Sequence, residues 1–146
     1  MRTRFFAIFI FISAILHFVW ESFHIRFYGG YDALSPYLPL SLWATIADIF
    51  YAIAALLFVS LIKHWFGWLG APRWNDILGL ALIGFSIALF VEYKAFIFGK
   101  WYYLDTMPII PFLEVGLSPI LQMTILLPFA TYLAGKISHT PTPISS

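Results

Sequence analysis

Apolar residues run almost unbroken over residues 5–27, 41–62, 77–98 and 108–134, and glycine, proline, charge and tryptophan gather between the runs. Each run has about 20 or more residues, the length a helix rising 1.5 Å per residue needs to cross a hydrocarbon core of about 30 Å. The pattern predicts an all-α integral membrane protein: a four-transmembrane-helix bundle, one membrane domain over residues 1–146, with both termini on the same side and a frayed tail over 136–146. Residues 28–40 carry Gly29, Gly30, Pro36 and Pro39 and cannot continue the first helix. Trp65, Trp68 and Trp74 fit an interfacial aromatic belt at the second connection, as do Trp101, Tyr102 and Tyr103 at the third. Arg2, Arg4, Lys63, Arg73 and Lys136 fall on the side of the termini, whereas Arg26, Lys94 and Lys100 fall on the other. The positive-inside rule then places both termini in the cytoplasm, as in a bacterial cytoplasmic membrane protein.

Composition sharpens the class. The chain is 62% hydrophobic and only 10% charged, too little charge to cover a soluble domain of 146 residues. A net charge of +1 provides no field for nucleic acid. The absence of cysteine removes disulfides, thiolate metal sites and thiol catalysis. No phosphate-binding glycine loop, dinucleotide fingerprint or nucleophile elbow occurs, so nucleotide-dependent and serine-hydrolase mechanisms have no support. The partners expected are the lipid bilayer, a lipophilic substrate, and further copies or a partner subunit. No residue pattern names a cofactor.

Within the first run, His17, Glu21 and His24 lie within about 60° of one another on a helix. An ionisable group at mid-membrane costs about 2.5–3.5 kcal/mol, so such residues usually face a protein interior and often mark a site. Ile10, Ser13 and Tyr28 extend this face. Ser41, Ala44, Asp48, Ala52 and Ala55 form a stripe of small residues with one carboxylate on the second helix, and Ala81, Gly84, Ala88, Glu92, Ala95 and Gly99 do the same on the third. On the fourth, Glu114 is followed by Ser118 and Gln122 along one face. Counted from each helix's outer end, Glu21, Asp48, Glu92 and Glu114 fall roughly 7–10 Å below the non-cytoplasmic edge. Pro119, inside a helix starting near 108, would free the carbonyl of Val115 to line a cavity. Lys94 lies on the opposite side of its helix from Glu92, where its stem can reach the interface.

The pattern His17-x-x-Trp20-Glu21 with Tyr28, Glu92, Trp101-x-Tyr103, Met107-Pro108, Pro111 and Gly116-Leu117-Ser118-Pro119-x-x-Gln122 resembles a family of small uncharacterised bacterial four-helix membrane proteins. The resemblance covers all four helices and implies no activity. Gly99-Lys100-Trp101, Pro111 and Glu114 also resemble segments of lycopene-cyclase-type membrane cyclases, which implies an acidic role for Glu114, although Val115 stands where that pattern has a second acid.

Three readings follow. In the first, the layer performs acid–base chemistry on an isoprenoid or carotenoid-like chain. Glu21 is the acid, His17 and His24 relay its proton, and Asp48, Glu92 or Glu114 serves as base or counter-charge. Trp20, Tyr28, Trp101 and Tyr103 offer ring faces to a carbocation, with Gln122 beside the substrate. In the second, His17, Glu21 and His24 bind zinc or iron with Asp48 and Glu92 nearby. In the third, the polar groups carry a proton or ion, or only lock the bundle through bonds worth about 0.6 kcal/mol each.

Overall fold

A computed structural model of the chain describes residues 2–30 and 39–139. Four helices, α1 (Arg2–His24), α2 (Leu40–Ile62), α3 (Trp74–Ile97) and α4 (Leu117–His139), are each long and apolar enough to cross a membrane. The bulk of the first connection, residues 31–38 with Asp32 and Pro36, and the tail over 140–146 lie outside the described residues.

The helices pack unevenly. α4 is the most buried and lies against both α1 and α3, α1 also packs on α2, and α2 and α3 meet only sparsely. The close contact of α3 with α4 depends on Gly84, where a Cβ would stand 2.3 Å from the carbonyl oxygen of Met123. Only a residue without a side chain lets the two backbones approach so closely. The shared core gathers Phe5 and Phe9 of α1, Ala52, Ala55 and Leu56 of α2, Leu80 of α3, and Leu127, Ala130 and Ala134 of α4. Ile10, expected on the buried face of α1, is exposed.

The end of the bundle that carries the chain's N-terminus is closed by the α2–α3 connection. Trp68 and Leu69 are each 2% exposed and join the core, and Trp68 Nε1 donates to Ser60 Oγ at 3.0 Å. Trp68 therefore plugs the bundle and is not part of an interfacial belt, whereas Trp65 and Trp74 are exposed. Lys63 pairs with Asp76 at 2.6 Å, and Asp76 also accepts the Arg73 N–H at the start of α3.

At the opposite end the structure departs from a purely helical chain. Tyr28–Gly29 (β1) pairs antiparallel with Tyr102–Tyr103 (β2), and Ile109–Ile110 (β3) pairs with Val115–Gly116 (β4). Gly29 allows the first pairing, because a Cβ there would meet the Tyr102 ring at 2.6 Å. The second pairing means that α4 opens at Leu117, not near residue 108. Pro108 and Pro111 have no N–H to donate, and Glu114 holds a left-handed backbone (φ 54°) that closes the hairpin. Pro119 consequently sits in the first turn of α4, where a missing N–H interrupts nothing, and the interior break expected there falls only at Pro128. The helix runs on through residues 136–139, where fraying was expected.

Candidate functional site

A cavity of about 560 Å³ lies where α2 and α3 fail to close on each other, within the range of small-molecule sites. Its inner wall carries Glu21 and His24 of α1, Asp48 of α2, Glu92 of α3 and Gln122 of α4. Apolar residues of α2 and α3, among them Ala44, Ala47, Ala88 and Val91, make up much of the rest. The helical period explains the convergence: Ser13, His17, Glu21 and His24 are the buried positions along the later part of α1, and Gly84, Ala88, Glu92 and Ala95 along that of α3.

Gln122 joins the first polar group. Its Nε2 lies 2.8 Å from Glu21 Oε1 and 2.7 Å from Asp48 Oδ2, so its two hydrogens serve the two carboxyl groups. Its 3.1 Å approach to His17 Nδ1 is then a contact without a proton, and His17 Nδ1–H donates to Asp48 Oδ2 at 3.1 Å. His17 is fully buried behind the cavity wall. Its Nε2 and Ser13 Oγ are the buried side-chain polar atoms left without a partner among the described residues.

His24 links Glu21 to a second chain of bonds. Trp20 Nε1, which can only donate, reaches Ser118 Oγ at 3.2 Å, and Ser118 Oγ lies 3.0 Å from His24 Nδ1. His24 Nε2 stands 3.3 Å from Glu21 Oε2. Two proton arrangements satisfy this chain. In one, Ser118 donates to Nδ1 and Nε2–H donates to a Glu21 carboxylate. In the other, a Glu21 carboxylic acid donates to Nε2 and Nδ1–H donates to Ser118, whose oxygen has room for both donors. The two arrangements differ by one proton, so Glu21 can gain or lose a proton while His24 stays neutral by changing tautomer.

Glu92 is held differently. Tyr28 Oη donates to Oε1 at 3.2 Å, while Trp101 Nε1 at 3.2 Å and Tyr103 Oη at 2.5 Å donate to Oε2. The Gly116 N–H donates to the Tyr103 oxygen at 2.8 Å, which turns the phenolic proton towards Glu92. The last bond has the length of a charge-assisted O–H···O⁻ contact. Both short strand pairings thus serve this carboxyl group: β1 and β2 bring Tyr28 and Tyr103 side by side, and β4 supplies Gly116. The Tyr28 ring also lies 5.1 Å from that of His24, so the two polar groups adjoin.

The expected site residues therefore divide. Glu21, His24, Tyr28, Asp48, Glu92, Trp101 and Gln122 line the cavity. His17 supports Asp48 from behind, Trp20 acts through Ser118, and Tyr103 acts through Glu92. Glu114 is not brought in: it is exposed at the hairpin turn, ahead of α4. The metal arrangement finds no geometry either, because no group of three or more His, Asp or Glu side chains among the described residues is disposed to hold an ion. The Gln122 amide presents N–H groups to both carboxyls, donors where a metal would need acceptors. Ser118, the pivot between Trp20 and His24, and Trp43 and Tyr51 in the cavity wall were not among the expected site residues. Trp43, Ala47 and Tyr51 recur every fourth residue one position ahead of Ala44 and Asp48, a signal overlooked beside the stripe of small residues. Comparison with known proteins finds no matching family model, no matching curated protein and no matching solved structure.

Proposed function

We propose that this is an integral membrane protein with cytoplasmic termini whose cavity, in the non-cytoplasmic half of the bilayer, performs acid–base chemistry on a lipophilic substrate of the isoprenoid type. One observation carries the reading: carboxyl groups from three helices face one largely apolar cavity on the seam between α2 and α3. The resemblance to membrane cyclases adds to it through Trp101, though not through Glu114.

Glu21 is the acid. It gives its proton to one carbon of an alkene, whose π electrons form the new C–H bond and leave a carbocation on the neighbouring carbon. Tyr28 and Trp101 present rings to that cation, and Glu92, fixed by three donors, supplies a stationary counter-charge. Asp48 takes a proton from an adjacent carbon as the double bond re-forms and loses it to water, and Glu21 regains one from water while His24 beside it changes tautomer and stays neutral, so the cycle consumes no net proton. The test compares lipid extracts of cells expressing the parent and Glu21→Gln, which keeps the shape but has no acidic proton to give. The expected outcome is a change in one isoprenoid lipid that depends on Glu21. Indistinguishable extracts, with both proteins folded, refute the reading.

A further inference from the structure

The seam between α2 and α3 does not end with the cavity. A second hollow of about 370 Å³ continues it and shares Tyr51 and Ile87 with the first. Its remaining lining, including Phe58, Leu82 and Phe90, carries no charge. From Asp48 to Phe58 the α2 backbone advances about 15 Å, half the thickness of a hydrocarbon core. The shape is that of a long, narrow ligand lying along the seam.

The rim has the opposite charge to the inner wall. Lys94 and Lys100 line the cavity at its outer end, both exposed, and among the described residues neither takes part in an ion pair, unlike Lys63. Lys94 Nζ lies 6.0 Å from the ring of Phe90, which also lines the deeper hollow. Two ammonium groups at the mouth of an apolar groove suit a head of charge near −2. A phosphate monoester carries about −1.5 to −2 at neutral pH.

We infer that the ligand is a lipid phosphate monoester, its head held by Lys94 and Lys100 and its hydrocarbon chain lying in the α2–α3 groove. This deepens, and rests on, the reading of the cavity as a substrate site. It also fixes where chemistry falls. Leu40 lines the outer end of the cavity and Asp48 lies about 12 Å further along α2, so the carboxyl groups meet the chain several carbons from the phosphate. The phosphate is a handle and not the leaving group.

The test measures binding to the full chain in phosphatidylcholine nanodiscs, followed by the fluorescence of Trp43 and Trp101, which line the cavity. The probes are dodecyl phosphate, dodecanol and inorganic phosphate. Dodecyl phosphate is expected to saturate the protein at least about tenfold more tightly than either other probe, the value of one charge-assisted contact. Lys94→Ala with Lys100→Ala should bring it to the level of dodecanol. Ile87→Trp should weaken both chain-bearing probes by filling the groove, with Leu82→Trp as the substitute if that variant folds poorly. Equal binding of dodecanol, or no effect of the lysine pair, overturns the phosphate head. Equal binding of inorganic phosphate, or no effect of the tryptophans, overturns the chain in the groove. These binding readouts need no turnover, so a failure of acid–base chemistry is read separately from a failure of this proposal.

Discussion

Replacing Gln122 with methionine, which keeps the length and removes the amide, isolates the polar network from the packing of α4. Gln122 is 3% exposed, and its amide supplies hydrogens to Glu21 at 2.8 Å and Asp48 at 2.7 Å. A hydrogen bond to a charged group such as the Asp48 carboxylate contributes about 1.5–3 kcal/mol and one to the neutral Glu21 acid about 0.5–1.5 kcal/mol, which gives about 2–4.5 kcal/mol for the pair. The Asp48 side chain is 20% exposed, so water can replace its lost donor, and the lower end of the range, about 2–3 kcal/mol, is expected. If the network were only interhelical glue at about 0.6 kcal/mol per bond, the loss would be nearer 1 kcal/mol. Equilibrium unfolding in mixed micelles, followed by tryptophan fluorescence, separates the two, with the neighbouring, exposed Leu121→Met as control. In a double-mutant cycle with Glu21→Gln the two losses should fall short of additivity by about 1 kcal/mol or more. A loss below about 2 kcal/mol for Gln122→Met, with no coupling to Glu21, would refute the reasoning.

Other consequences are as direct. Gly84→Ala should cost about 1–3 kcal/mol, because its Cβ meets the Met123 carbonyl, whereas Gly79→Ala, with open space around it, should raise stability by up to about 1 kcal/mol; the same unfolding assay reads both. Tyr103→Phe removes the bridge between the Gly116 N–H and Glu92 and should cost about 2–3 kcal/mol, with faster amide exchange at Gly116 as its local signature. In the otherwise cysteine-free chain, Cys at the exposed Asp105 should react with an impermeant thiol reagent in intact cells and Cys at the exposed Arg73 should not; the reverse pattern would overturn the orientation.

The sequence carried the layer of carboxyl groups because helical periodicity is a local property. Once α1 and α3 are helices, Glu21 shares a face with His17 and His24, and Glu92 falls among small residues. The start of α4 was less legible. Ile109, Ile110 and Val115 are apolar, short apolar runs suit a strand as well as a helix, and Pro108 resembles a proline at the first helical position. That ambiguity placed Glu114 on a helix it does not join. Trp68 has the sequence context of an interfacial anchor, and only its packing at the end of the bundle, against the core and Ser60, removes it from the surface. The small-residue stripe of α2 held two meanings at once: Ala52 and Ala55 are buried in the core, while Ala44 and Asp48 face the cavity. Composition cannot distinguish a position that is small to admit a helix from one that is small to admit a ligand.

The central claim is that Glu21 delivers a proton to carbon, and deuterium reports that event directly. The purified chain, reconstituted with a bacterial lipid extract in D₂O, should add one deuterium per turnover to a single isoprenoid lipid, detected as a mass increase at a carbon-bound position. Glu21→Gln in the same membrane should leave every lipid unlabelled while its binding and unfolding remain those of a folded protein. Parent protein that is folded and reconstituted yet places no deuterium on carbon in any lipid, or Glu21→Gln that labels as fast as the parent, would contradict the account.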